Sequence, residues 1–233
     1  MIPELSIIIG TVDRPLHLNR FVQSIIDHTD IPFELIIVDG GDKPANLSWD
    51  NRNNIKIIED KPRAGYRQAY NKGFAAATGK YVVFLNDDVE VMRSWAIEAV
   101  RFMDANKWCG MGAIYFSENG QGGPFQIREW LQLPYANFGV ISKELGNRLG
   151  WFDDYIYTYG ADNSLSFKVF LAGKTIVGIP NCKVLHNPIM DANKTANLEK
   201  QPTDARNILT KYRHRLPEMY DTYRMYPRAQ MFA

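Results

Sequence analysis

The feature that most limits what this chain can become is a short apolar run at residues 81–85, YVVFL, that stops abruptly at Asn86, Asp87 and Asp88. A β-branched and aromatic run without turn formers is the pattern of a strand buried on both faces of a parallel sheet. Carboxylates are costly to bury unless paired or metal-bound. Two of them at the end of a buried strand therefore suggest a site for a cation or for ribose hydroxyls. The competing expectation is that Asp87 and Asp88 merely cap a helix over residues 93–105.

The same arrangement recurs upstream. Residues 5–9 form another apolar run that leads through Gly10 and Thr11 towards a helix, with Asp13 as its cap and Pro15 in its first turn. Leu18, Phe21, Val22, Ile25 and Ile26 recur there at helical spacing. Residues 33–38 form a third run, ending in Asp39, and residues 66–78 read as an Ala-rich helix with Gly79 as its C-cap. Strands alternating with helices argue for an α/β fold with a mostly parallel central sheet. Three strand ends, at Thr11, Asp39 and Asp87–Asp88, then deliver polar groups to one edge, where ligands of open α/β sheets collect.

Further strands are expected at residues 55–58, 109–116, 137–141, 175–179 and 182–185, with His186 just past the last. Helices are expected over 142–149, capped by Ser142, and over 161–171, ended by Gly173. Residues 117–123, SENGQGG, read either as a plain surface loop or as a mobile flap over a substrate. Residues 190–207 are polar and read as a loop entering a helix. The tail beyond sets Arg206, Lys211, Arg213, Arg215, Arg224 and Arg228 against Glu218 and Asp221. It is either a solvated helical face or a strip for acidic lipid headgroups or a phosphorylated acceptor, reinforced by Tyr212, Tyr220, Tyr223 and Tyr226.

The 233 residues suffice for one large domain or a domain with an appendage. With 27 Lys+Arg against 26 Asp+Glu, the charge of +1 provides no global argument for nucleic acid or membrane. Two cysteines, Cys109 and Cys182, exclude a disulfide scaffold or a cysteine-rich metal centre. The start lacks the pattern of a signal peptide, and no window is apolar enough to cross a bilayer. The expectation is a soluble cytoplasmic protein, with peripheral membrane contact left open.

Residues 5–15 (LSIIIGTVDRP), 33–41 (FELIIVDGG), 65–88 (GYRQAYNKGFAAATGKYVVFLNDD) and 159–186 (YGADNSLSFKVFLAGKTIVGIPNCKVLH) together resemble, in order and spacing, the successive signatures of family 2 glycosyltransferases of GT-A fold. The resemblance implies a GT-A domain at residues 1–187, with a nucleotide-binding half at 1–115 and an acceptor and catalytic half at 116–187. A helical C-terminal extension at 188–233 would follow. It implies an inverting, metal-dependent transfer of a sugar from a nucleotide diphosphate, UDP being expected, to a hydroxyl of a glycan, lipid-linked or polymer acceptor. Thr11 and Asp39 would hold the nucleotide base, Arg63 or Arg67 would contact phosphate or base, and Asp87 would lie near the ribose. Asp88 would bind Mn²⁺ or Mg²⁺, with His186 as a further ligand, and Asp162 would be the catalytic base.

Trp130, Tyr135 and Trp151 are candidates for stacking on sugar or acceptor, against the alternative of core packing. The sequence departs from the family pattern at Gly10, Gly40, Asn86, Ala161 and Ser164, and the last two thin out the charge around Asp162. Two rival readings stand beside the transferase. A nucleotidyltransferase would want a Gly-rich phosphate loop, of which GTVDRP is a poor version. A non-catalytic nucleotide-sugar or glycan-binding module would bind donor without turnover.

Overall fold

A strand that is apolar on both faces needs cover on both, and that requirement organises the molecule. The computed structural model describes residues 3–43, 53–118 and 123–226. It begins with β1 (Leu5–Thr11), α1 (Pro15–His28), β2 (Phe33–Asp39), β3 (Ile55–Glu59), α2 (Tyr66–Ala76) and β4 (Tyr81–Phe84). There follow β5 (Val89–Val91), α3 (Trp95–Ala105), β6 (Cys109–Glu118), β7 (Arg128–Trp130), β8 (Leu133–Tyr135) and β9 (Gly139–Ser142). The remainder is α4 (Lys143–Leu149), α5 (Ala161–Leu171), β10 (Thr175–His186), α6 (Ala192–Leu198), α7 (Gln201–Tyr212) and α8 (Leu216–Arg224).

An 8-stranded sheet in the order β3-β2-β1-β4-β9-β6-β10-β5 forms the centre, and helices flank it. Strands β3, β2, β1 and β4 run parallel, as do β6 and β10. Strand β9 lies antiparallel between β4 and β6, and β5 closes the edge antiparallel to β10. A separate ribbon pairs β7 with β8.

Register does the positioning. Thr11 pairs with Asp39, and the Leu85 amide donates to the Ile8 carbonyl at 3.1 Å, so β1, β2 and β4 end together. At the other side, His186 pairs with Val89, and the Asn187 amide donates to the Asp88 carbonyl at 2.8 Å. Helix α2 comes so close to β1 that a Cβ on Gly73 would sit 2.3 Å from Ile8 Cγ2. Only glycine permits that approach.

Several local expectations change. Asp87 and Asp88 cap no helix, because β5 intervenes and α3 starts only at Trp95. Asp13 does not cap α1 either: its Oδ1 accepts from the Asp42 amide, and Arg14 occupies the cap position. Helix α2 ends at Ala76 rather than Gly79, where a Cβ would lie 2.7 Å from the Ser6 nitrogen. The runs at 175–179 and 182–185 are one strand, interrupted by a register shift between Gly178 and Lys183. Ser142 does cap α4, accepting from the Leu145 amide.

The polar stretch over 190–207 does enter a helix, α7, but the part read as the loop before it forms α6. Helix α5 has buried residues all round, among them Leu165, Phe167, Val169 and Phe170, because helices from the tail cover what the sheet does not. Phe167 meets Tyr212 edge-on and Phe170 meets Tyr223 likewise. The tail tyrosines are thus spent inward rather than on a lipid surface. Tyr220 donates to the Leu131 carbonyl, and Tyr226 to the Gly173 carbonyl. Of the basic residues, Lys211 pairs with Asp153, Arg215 with Glu218 and Arg224 with Asp221, while Arg228 lies outside the described residues.

Candidate active site

The strand ends build one wall. Thr11 Oγ donates to Asp87 Oδ2 at 2.8 Å, and Arg14 donates to the other oxygen of Asp87 at 3.0 Å. The Arg14 Nε donates in turn to Asp191 at 2.8 Å, from the start of α6. Burial pushes the Asp87 carboxyl up, a shift that Arg14 and Thr11 reduce without cancelling. Burial alone would lower the Arg14 guanidinium, but Asp191 and Asp87 outweigh it and raise it. Asp39 is buried beside this group and accepts from the Gly41 amide at 2.8 Å. A cleft of about 380 Å³ opens here, lined by Thr11, Asp13, Arg14, Asp39, Asp42 and Lys43.

Two basic residues stand before and at the start of α2. The aliphatic stem of Arg63 lies over Gly40, where a Cβ would come within 3.1 Å of it. Arg67, in the first turn of α2, has its Nε buried without a hydrogen-bond partner. A guanidinium nitrogen left so is costly, and an anionic ligand would satisfy it.

Next along the edge, antiparallel pairing of β5 and β10 brings Asp88 and His186 together, both buried. The His186 Nε2 lies 3.4 Å from Asp88 Oδ1, and neither that oxygen nor either imidazole nitrogen has a hydrogen-bond partner. Burial would raise the Asp88 carboxyl, but His186, Arg14 and Lys194 hold it below its usual value. Orphaned buried donor atoms of this kind fit a divalent cation, which takes carboxylate oxygen and imidazole nitrogen. Among the described residues no three His, Cys, Asp or Glu side chains converge as a metal cage.

Asp162 stands in the first turn of α5. Its carboxyl is pushed up to about 6 by burial, a shift that the Asn163 amide and Arg128 only partly offset. It is not the N-cap, a position taken by Gly160, but its Oδ1 accepts from the Asn163 amide at 2.9 Å. Tyr135 on β8 sits close by, its hydroxyl raised to about 12 by burial and by the Asp162 charge. Tyr66, at the start of α2, is held well above its usual value by burial first, then by Tyr70 and Asp162, with a smaller push from Asp88. It therefore lies within electrostatic reach of both carboxylates. Ser164, two residues past Asp162, has lost the family's acid, but Asp153 reaches its hydroxyl.

Of the stacking candidates, Trp151 is core: it stacks on Phe74 with ring centroids 4.3 Å apart. Trp130 stacks on Phe167 at 5.7 Å, and Tyr135 is buried beside Asp162. The central residues of the expected flap, 119–122, lie outside the described residues. Sequence reasoning gave no role to Arg14, Tyr66, Asp191 or Asp204. Arg14 stands in a segment already singled out, and its position beside Thr11 was the available signal. The two aspartates lie in the polar stretch over 190–207, where nothing local marks them.

Comparison with known proteins identifies the family and the fold. The model of "Glycosyl transferase family 2" matches residues 6–161, ending one residue before Asp162. The O-antigen biosynthesis protein RfbC of Myxococcus xanthus is 24% identical over 222 residues, covering 79% of this chain and 17% of its own length. N-acetylgalactosaminyltransferase 7 of Drosophila melanogaster is 26% identical over 235 residues, covering 79% of this chain and 39% of its own. The chain thus spans well under half the length of these two relatives. Among solved structures, the mannosyltransferase PcManGT from Pyrobaculum calidifontis, in complex with GDP-Man and Mn²⁺, superposes with a TM-score of 0.70 at 17% identity, covering 92% of this chain and 65% of that one. GalNAc-T7 with UDP, GalNAc and Mn²⁺ gives 0.65 at 16% identity, with 80% and 43% covered. These likenesses identify the fold as GT-A. No helix among the described residues is long and apolar enough to cross a membrane.

Proposed function

The chain belongs to glycosyl transferase family 2, and from that premise we propose that it moves a sugar from a nucleotide diphosphate, UDP-linked, to an acceptor hydroxyl with inversion at the anomeric carbon. Residues 1–115 hold the nucleotide, 116–187 the acceptor and the base, and 188–233 form an extension, of which α7 and α8 pack against α5. The observation that most supports this reading is the buried, unpartnered Asp88–His186 pair, set on the same sheet edge as Thr11 and Asp39.

Asp39 accepts the N3–H of uracil, with Thr11 beside it, and Asp87 faces the ribose. Arg67 and Arg63 meet the diphosphate or the base with charge-assisted bonds. Asp88 and His186 are the residues that would hold Mn²⁺ or Mg²⁺, which when bound offsets charge on the departing diphosphate. Asp162 takes the acceptor proton while the acceptor oxygen attacks from the face opposite the diphosphate. A base with a pKa of about 6 is ionised at neutral pH and still basic enough to accept that proton. The acceptor is a hydroxyl of a glycan, lipid-linked intermediate or polymer, and a lipid-linked one would bring the basic tail to the membrane surface.

The deciding experiment measures binding and hydrolysis of UDP-, GDP- and dTDP-sugars, with and without Mn²⁺, on the wild type and on Asp88→Ala. Metal-dependent preference for one nucleotide, lost in the variant, is the expected result. Binding without turnover under every condition would favour a binding module, and no binding at all would overturn the proposal.

A further inference from the structure

In the loop that leads into α5, the amides of three successive residues, Tyr157, Thr158 and Tyr159, are satisfied by a single side chain. Asp204, in the first turn of α7, is fully buried. Its Oδ1 accepts from the Tyr157 amide at 2.7 Å, and its Oδ2 accepts from the Thr158 amide at 2.9 Å and the Tyr159 amide at 2.8 Å. Among the described residues no Lys or Arg forms an ion pair with it. Its charge is therefore balanced by backbone N–H groups of this one segment, in charge-assisted bonds stronger than neutral ones.

The neighbouring residues on α7 extend the same grip. Asn207 donates to the Tyr155 carbonyl at 2.8 Å. Ile208 abuts Gly160 so closely that a Cβ there would lie 2.4 Å from Ile208 Cδ1, and Gly160, at φ 87°, is the N-cap of α5. Residues 155–160 are thus held on α7 from end to end, and Asp162 stands two residues beyond, in the first turn that this clamp sets.

We propose that Asp204 is a positioning residue for the transfer reaction: by binding the amides of Tyr157, Thr158 and Tyr159 it fixes the start of α5, and so the direction of the Asp162 carboxylate. The proposal rests on Asp162 being the base. It assigns part of the tail a role in the chemistry rather than in docking, since Asp204 lies in the extension and the reacting groups do not. Tyr157 is exposed on the same clamped segment, and Lys194 lies over the Tyr159 ring at 5.6 Å.

The test uses the whole chain and the isosteric variant Asp204→Asn, whose NH₂ would face an amide donor. In the wild type, hydrogen exchange at the amides of residues 157–159 is expected to be slow, although they lie in a loop, and in the variant faster by about tenfold or more. Hydrolysis of the UDP-sugar, in which water replaces the acceptor, should fall about tenfold or more, as misplacement of a reacting group by a fraction of an ångström does. Affinity for UDP with Mn²⁺ should stay within about twofold of wild type, because the donor wall is bonded elsewhere.

A clamp that only stabilised the fold would leave the pH profile in place. A positioning clamp, once loosened, exposes the half-buried Asp162 further and moves the acid limb of turnover to lower pH. Fast exchange at these amides in the wild type overturns the clamp. Wild-type turnover and an unmoved acid limb in Asp204→Asn overturn its catalytic role. Should Asp204→Asn fold poorly, Ile208→Val takes its place, with the same shift in the acid limb expected at smaller size and an unmoved limb counting against the proposal. Absence of turnover in the wild type, with slow exchange at these amides, instead overturns the functional reading and with it the positioning role.

Discussion

The donor edge and the loop before Asp162 are both short polar segments at the ends of buried elements, yet they are held in different ways. At the donor edge, Thr11 is paired with Asp39 by the parallel register of β1 and β2 and bonded to Asp87 across to the end of β4. The sheet ladder satisfies the backbone and places the side chains at once. Residues 157–159 have no ladder among the described residues, so their amides need an acceptor from elsewhere. They find it 45 to 47 residues later in Asp204. The proposed donor edge is thus organised mainly by the sheet, with Asp191 of α6 bonding Arg14, and the loop before Asp162 by an added helix. Changes in α7 should consequently disturb turnover before they disturb donor binding.

Asp162→Asn should separate the two regions most sharply. Hydrolysis of the donor is expected to drop by about 10²–10⁴-fold, the range lost with a general base, while UDP affinity measured calorimetrically with Mn²⁺ holds. Equal losses in both would show that the regions act as one. Next in size, Tyr223→Ala removes the ring that packs on Phe170 and should cost about 3 kcal/mol in urea denaturation. A cost below about 1 kcal/mol would mean that α8 does not brace α5.

On the donor side, Asp88→Ala should weaken Mn²⁺ binding about a hundredfold and His186→Ala about tenfold, both read by titration with Mn²⁺ in the presence of UDP. Unchanged metal affinity in His186→Ala would leave the histidine a structural role only. Asp162→Asn should not move either value.

A fourth expectation concerns pH. Because burial raises Asp162 to about 6, from 3.8, its folded form binds a proton more tightly than its unfolded form. That contribution to stability is present in full below the unfolded value and is lost as pH rises through about 6. Turnover runs the opposite way and should rise through the same range as the base ionises. Asp162→Asn should then be more stable than wild type at pH 8, on the order of 1–2 kcal/mol, with the difference gone by about pH 3–4. Thermal denaturation across this range checks the sign. The smallest effect is Thr11→Val, which removes one hydrogen bond to Asp87 and should cost about 1 kcal/mol, lowering UDP affinity without touching the pH profile of turnover.

The donor edge was legible because its residues sit at the ends of apolar runs that are recognisable one at a time. Thr11, Asp39, Asp87 and Asp88 each terminate such a run, and parallel pairing brings the first three together and leaves Asp88 next along the same edge. Trp151 was harder: a tryptophan just after a helix-ending glycine looks the same whether it faces a ligand or, as here, stacks on Phe74. The polar stretch over 190–207 was harder still. Asp191 and Asp204 look like any solvated acids of a short helix, and only their partners, Arg14 and the amides of residues 157–159, distinguish them.

By itself, then, the amino-acid sequence determined the alternation of strands and helices, the family, and the set of polar strand ends that face one edge, because these depend on periodicity and on what terminates each apolar run. Only the tertiary structure decided that β5 carries Asp88 to His186, that the tail tyrosines turn inward onto α5, and that Asp204 holds the loop before Asp162. Those are contacts between segments far apart in the chain. Their free energy comes from burying apolar rings and satisfying buried amides in three dimensions, and no local pattern records it.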